Sequence, residues 1–156
     1  MKDMRRTDRL LSKEEALEIL NKGEYGILAT IDSNGQPYGV PLSYVVNDNC
    51  IYYHATNSGG NKYDNILYNN KVSFTVVGNT QILPDKFGTQ YESIIAFGEA
   101  VMVDDEEVRL IIFREFLKKY CSDYIDEGQD YIENAGPKAM IVKITISNLT
   151  GKSRRK

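Results

Sequence analysis

The chain has 156 residues, of which 42% are hydrophobic and 26% are charged, as in an ordinary globular protein that can bury a core without disulfides or a structural metal. The net charge of −3 argues against strong nonspecific binding of nucleic acid. Because no apolar run approaches ~18 residues and no signal peptide is visible, we expect one cytoplasmic domain over residues 1–156 that does not enter a membrane.

The first predicted element is a helix that begins at a capping box. Ser12 can accept a hydrogen bond from the amide of Glu15, whose carboxylate reaches back to the amide of Ser12. An apolar stripe follows, and Gly23 suits the end of the helix.

Three strands are predicted next, over Tyr25–Ile31, Tyr38–Val46 and Cys50–Thr56. An Asn-Gly pair at 34–35 is a strong hairpin signal between the first two strands. Pro41 cannot donate to a sheet ladder, so its strand is expected at an edge or a bulge. The short turns predict an antiparallel meander of these three strands.

The second half of the chain adds three strands and two helices. We predict a bulge at Gly98 and a helix that begins near Asp104 and ends near Tyr120. These six strands predict a mainly β fold that closes, or nearly closes, into an antiparallel barrel with peripheral helices. In chain order the remaining predicted segments are a helix over Lys62–Tyr68, a strand over Lys71–Val77, an irregular segment over Gly78–Gln90, a strand over Tyr91–Val103, a largely irregular segment over Ser122–Lys138 and a strand over Met140–Ile146.

Most familiar catalytic and metal-binding patterns are missing from the sequence. Cys50 and Cys121 form no C-x-x-C pair, and the single histidine, His54, cannot complete a zinc site with them. We expect no metal site and two buried free thiols. No G-x-S-x-G, Walker or G-x-G-x-x-G motif is present.

The polar segment between the third strand and the short helix is the best candidate site. Gly59 and Gly60 allow positive φ and a close approach of the backbone to a ligand. Lys62 adds positive charge at a helix start, where amides are available to an anion. The pattern fits a phosphate cradle, although a plain connection has the same pattern. His54 is either a structural histidine or a proton donor and substrate contact.

Five stretches in order resemble the pyridoxamine 5′-phosphate oxidase-like FMN-binding split barrels, in particular the 5-nitroimidazole-resistance (Nim) branch. The resemblance runs from about Met4 to Lys152. It implies a six-stranded antiparallel split barrel that forms a homodimer with FMN in the cleft between its subunits. The stretches are MRRTDRLLSKEEALEIL, YGILATIDSNGQPYGVPLSYVV, IYYHATNSGGNKYDNI, YESIIAFGEAVMV and LTGKS.

The resemblance also implies which residues surround the FMN. The second and third strands would lie along the flavin, Lys62 would contact the phosphate, Ser93 would face the cofactor from the fifth strand, and Lys152 would approach the phosphate. The residues on the second and third strands are Pro41, Leu42, Ser43, Tyr44, His54, Ala55, Thr56 and Asn57.

By the same resemblance, the protein is expected to be an FMN-dependent oxidoreductase. Its substrate would be a nitroimidazole or other nitroaromatic compound, or one related to that of pyridoxamine 5′-phosphate oxidase. A nicotinamide or another reductant would supply electrons, and His54 would donate a proton or position the substrate. Two alternatives are a non-catalytic barrel that binds flavin or haem, with His54 as axial ligand, and a barrel with a purely structural role.

Overall fold

The computed structural model describes residues 4–56, 59–135 and 139–155. Within them, the chain forms one antiparallel sheet of seven strands with four α-helices around it. The mainly β class is therefore confirmed. The elements are α1 (Lys13–Lys22), β1 (Gly26–Ile31), β2 (Pro37–Leu42), β3 (Val45–Asn47), β4 (Cys50–Thr56), α2 (Asn61–Tyr68), β5 (Lys71–Leu83), β6 (Gly88–Val103), α3 (Glu106–Tyr120), α4 (Ile125–Ala135) and β7 (Ala139–Arg154).

The connection between β2 and β3 turns this sheet into a split barrel. The strand order is β2-β1-β5-β6-β7-β4-β3, so β2 and β3 lie at opposite edges. Only Ser43 and Tyr44 separate these two strands in the chain, which brings the two edges within roughly 11 Å of each other. The chain thereby closes the sheet and protects its edges.

This connection also explains why there are seven strands rather than the predicted six. The sequence predicts one strand over Tyr38–Val46, but the backbone of Tyr44 leaves the ladder. Its amide donates to the hydroxyl of Tyr120 at 3.0 Å, and its carbonyl accepts from Lys119 at 3.0 Å. Because α3 satisfies these groups, the strand divides there. The predicted antiparallel pairing of consecutive strands is confirmed for β1 with β2 and for β3 with β4. The continuous meander is not, because β2 and β3 lie at opposite edges of the sheet.

Regular secondary structure extends further than predicted in three other places. The segment predicted as irregular over Gly78–Gln90 is mostly a hairpin, because β5 and β6 pair as far as Leu83 and Gly88. Helix α4 occupies much of the segment predicted as irregular after residue 121. Strand β7 continues to Arg154 because it pairs with β6 along its length. The predicted bulge at Gly98 is confirmed by a register shift between Phe97 and Gly98.

The apolar residues form two clusters, and β4 separates them. Ile51 and Tyr53 point into the barrel core, while Cys50 and Tyr52 point outward into a smaller cluster that α3 covers. The alternation places His54 on the outward side as well. The barrel cluster includes α1, which begins at the predicted capping box.

The remaining predictions from composition concern the two cysteines and the membrane. Cys50 is buried as predicted, but Cys121 is exposed because it follows the last turn of α3. Among the described residues, no helix is both long enough and apolar enough to cross a membrane.

Candidate functional site

The candidate site lies where β4 ends, next to α3. The imidazole of His54 packs edge-on against the ring of Phe116, with centroids 5.0 Å apart and an interplanar angle of 82°. Beside it is a cavity of about 380 Å³ between the sheet, α3 and α4. The described residues that line this cavity are Ser43, His54, Phe113, Phe116, Leu117, Tyr120, Cys121, Tyr131, Ile132 and Ala139.

The surroundings of His54 disfavour its charged form. Burial lowers the pKa of His54 below its ordinary value, and the positive charge of Lys62 lowers it further. Both causes disfavour the imidazolium. The effect of Lys62 also shows that the two side chains of the predicted site lie close enough for their charges to interact.

The glycine turn before α2 has the geometry that the sequence predicts. Gly59 and Gly60 have φ of +78° and +116°, and a Cβ on either would meet no atom within 4 Å. The carbonyl of Gly60 accepts from the amides of Tyr63 and Asp64. The amides of Asn61 and Lys62, the two residues before Tyr63, therefore have no acceptor within the helix and add to the positive potential at its start.

The four residues of the second strand that were predicted to contact FMN lie in three different environments. Ser43 lines the cavity beside His54, whereas Pro41 lies exposed on β2. Leu42 packs against the barrel core. Tyr44 is fully buried in that core. Of the four side chains, only that of Ser43 reaches the cavity.

The three residues that follow His54 also differ in their surroundings. Ala55 packs against the barrel core, on the opposite side of β4 from His54. Thr56 is exposed at the end of the strand. Asn57 lies outside the described residues.

Ser93 and Lys152 face each other on β6 and β7, far from His54. The ammonium of Lys152 lies 5.9 Å from the ring centroid of Tyr91. His54 pairs with Ile141, near the other end of β7. Eleven residues of strand at ~3.3 Å each separate the two positions by roughly 35 Å along β7. One subunit therefore does not bring Ser93 and Lys152 to the site at His54.

These two residues lie on an uncovered face of the sheet. A row of paired residues crosses five strands on this face, and Ile27 and Ile95 within it are 40% and 39% exposed. Thr75 lies between these two isoleucines, and exposed apolar side chains grouped on one sheet face favour an interaction surface. In order across the sheet the row contains Pro41, Ile27, Thr75, Ile95 and Thr150.

Sequence reasoning missed two residues at the end of α3. The hydroxyl of Tyr120 accepts from the amide of Tyr44 and lies 2.8 Å from its carbonyl and 2.7 Å from that of Glu24. The ammonium of Lys119 lies 3.9 Å from the ring centroid of Tyr44, and burial lowers the pKa of Lys119 to about 8. A Lys at the end of a helix is common, so no signal in the sequence singles out these residues.

Comparison with known proteins agrees with this architecture. A family model described as pyridoxamine 5′-phosphate oxidase matches residues 12–153. We found no match among curated proteins.

Three solved structures illustrate the structural likeness. The conserved hypothetical protein Rv2991 from Mycobacterium tuberculosis is 22% identical, with a TM-score of 0.84 over 98% of this chain and 91% of that one. A proposed 5-nitroimidazole antibiotic resistance protein from Bacteroides thetaiotaomicron is 20% identical, with a TM-score of 0.78 over 92% and 86%. The flavocytochrome Anf3 from Azotobacter vinelandii is 17% identical, with a TM-score of 0.77 over 99% and 73%. At these identities the likeness shows a shared fold.

Proposed function

The chain belongs to the pyridoxamine 5′-phosphate oxidase family, and we propose that it binds FMN between two subunits and acts as a flavin-dependent oxidoreductase. The observation that carries this proposal is the placement of Lys62 at the start of α2, beside an open glycine turn and close enough to His54 to shift its pKa. Such a turn offers a phosphate both backbone amides and a fixed charge.

In this proposal, the phosphate dianion of FMN contacts Lys62 and the amides at the start of α2. His54 would lie at the edge of the ring system, where a flavin needs hydrogen-bonding groups, and Ser43 would lie beyond it in the adjoining cavity. When bound, the flavin would supply the hydride chemistry, with a nicotinamide or another reductant as electron source.

His54 would contribute a neutral imidazole to that chemistry. In this state it donates a hydrogen bond from one ring nitrogen and accepts one at the other. A phosphate dianion beside Lys62 would offset the positive charge that lowers the pKa of His54. Binding of FMN would thus raise this pKa and help His54 to hold a proton for delivery to a substrate.

The proposed homodimer accounts for Ser93 and Lys152. Both lie on the uncovered sheet face with Ile95, far from His54 of the same chain. If two copies pack through this face, Ser93 and Lys152 of the partner subunit can approach the FMN that His54 and Lys62 hold. In sedimentation, the wild-type protein should then be a dimer, and Ile95→Lys should dissociate it and weaken FMN binding.

A titration with FMN, followed by flavin fluorescence, tests the cofactor site. Replacing Lys62 by Glu puts a negative charge beside the phosphate, so Lys62→Glu should weaken binding roughly tenfold or more. The matched control is Lys71→Glu, which makes the same change at an exposed position on β5. Equal affinities of both variants would remove Lys62 from the site, and a colourless protein that takes up no FMN would overturn the proposal. FAD, titrated in parallel, tests the choice of flavin.

Activity assays test the substrate. We propose reduction of a nitroimidazole or another nitroaromatic compound, with pyridoxamine 5′-phosphate oxidation as the competing reaction. Turnover with a nicotinamide donor should require FMN and fall in His54→Gln, whereas a loaded flavoprotein that turns over neither substrate would contradict an enzymatic role.

A second candidate is a non-catalytic protein that binds flavin or haem. The side chain of His54 is open to solvent although its ring packs against Phe116, and its lowered pKa favours the unprotonated nitrogen that an axial iron ligand needs. One structural neighbour is by name a flavocytochrome. A Soret band that grows on titration with haemin and disappears in His54→Ala would favour this candidate over the enzyme.

A further inference from the structure

The cavity between α3, α4 and the end of β4 has the size of a small-molecule site. Its volume of about 380 Å³ lies near the lower end of the ~300–1,000 Å³ that ligand pockets occupy. Helix α3 contributes Phe113, Phe116 and Leu117, and α4 contributes Tyr131 and Ile132. The sheet closes the remaining side.

The described residues that line the cavity are largely aromatic and carry no charge. None of the described residues that line it is Asp, Glu, Lys or Arg, although these make up 26% of the chain. The rings of Phe116 and Tyr120 stack at 5.9 Å, and His54 packs edge-on against Phe116. An ion that entered would lose hydration and would find no counter-charge among the described lining residues, whereas a flat ring would find aromatic partners.

The polar groups of the cavity can still orient a ligand. His54 has both a donor and an acceptor nitrogen when neutral, and Ser43 adds a hydroxyl. The hydroxyl of Tyr120 is engaged with the backbone of Tyr44 and Glu24. Lys62 does not belong to the lining, yet its charge acts on His54. His54 therefore lies between the basic start of α2 and the apolar cavity.

We propose that this cavity binds a neutral aromatic molecule of one or two rings, which His54 holds by a hydrogen bond to its polar substituent. The site would discriminate against substrates that carry a phosphate or carboxylate. Binding follows from the cavity alone, whereas the role of the bound molecule as the electron acceptor rests on the proposed flavin function.

Two probes of the same shape test the discrimination. 2-Naphthol is neutral at pH 7 and 2-naphthoate is an anion. Titrated by fluorescence into the full-length protein, naphthol should bind saturably at one site per chain, and naphthoate roughly tenfold more weakly or not at all. Equal affinity for both probes, or no saturable binding of naphthol, would overturn the proposal.

Variants locate the probe in the cavity. Leu117→Trp fills the space and should weaken naphthol binding roughly tenfold or more, while Leu110→Trp places the same ring at an exposed position of α3 outside the lining. Leu117→Phe makes a smaller change and replaces Leu117→Trp if circular dichroism shows that the latter does not fold. Undiminished naphthol binding in the folded Leu117 variant would contradict the assignment.

A final measurement separates this proposal from the flavin site. With FMN present at saturation, naphthol should still bind, and His54→Phe should reduce the affinity for naphthol more than that for naphthalene. Competitive displacement of naphthol by FMN would overturn the proposal, because the cavity would then hold the flavin itself. Naphthol binding by a protein that takes up no FMN would support the cavity and reject the flavin function.

Discussion

Tyr120→Phe is the sharpest test of how the barrel is closed. The substitution keeps the ring that stacks on Phe116 and removes only the hydroxyl. That hydroxyl accepts from the amide of Tyr44 at 3.0 Å and contacts the carbonyls of Tyr44 and Glu24. The variant therefore perturbs the strand break without creating a large cavity.

The expected loss of stability follows from the three contacts. Tyr44 is fully buried, so its amide would lose its partner away from water, which costs about 1–3 kcal/mol. The carbonyl of Tyr44 keeps its bond from Lys119, and Glu24 is exposed, so water can replace the third contact. We expect a loss of about 2 kcal/mol, or about 4–8 °C in Tm for a chain of this length.

Urea unfolding followed by circular dichroism measures this loss. Because a dimer makes the midpoint depend on concentration, variants must be compared at one protein concentration. Tyr124→Phe is the matched control, since Tyr124 is 65% exposed and its variant should lie within ~0.5 kcal/mol of the wild type. If Tyr120→Phe were as stable as this control, the hydroxyl would not hold the break.

Four further expectations concern single groups. Lys62→Gln should raise the pKa of His54 in an NMR titration, because it removes a nearby positive charge; an unchanged or lower pKa would contradict the geometry. Since the folded-state pKa of His54 is lowered, the unfolded chain binds the proton first as pH falls below about 6.5. Stability should therefore decrease with acidification, and less so in His54→Gln, when urea midpoints are compared at pH 7 and about 5.5. Gly98→Ala should cost about 1–3 kcal/mol, because its Cβ would lie 2.2 Å from a main-chain oxygen of β7. Gly39→Ala, whose Cβ would meet its nearest atom at 3.6 Å, should be neutral, and equal midpoints of the two variants would refute this account. Cys121 should react rapidly with a thiol reagent in the native protein, while the second, buried cysteine reacts only after unfolding. Fast reaction of both would contradict the burial of the second cysteine.

Local signals in the sequence were sufficient for several features of the fold. The capping box of Ser12 and Glu15 depends on residues three apart and is present as predicted. The bulge at Gly98 is likewise confirmed. His54 and Lys62 are eight residues apart, so a strand, a glycine turn and a helix start bring them together without distant contacts. The capping box and the bulge could be predicted because nearby residues determine the geometry.

The strand break could not be predicted in this way. The residues around Tyr44 have the pattern of one continuous strand, and the groups that end it belong to Tyr120, 76 residues later. The extension of β7 beyond Ile146 likewise depends on its pairing with β6, since the tail has little apolar alternation. Both outcomes depend on contacts whose partners are distant in the chain.

The sequence by itself thus determined the β class of the fold and the local elements that carry His54, the two glycines and Lys62. The tertiary structure determined which other side chains lie near His54. Ser43 lines the cavity beside it, Tyr44 is buried in the core, and Lys152 lies far from His54 within one chain. The reason is that a strand presents alternate residues to opposite faces, and long-range pairing alone decides what each face meets.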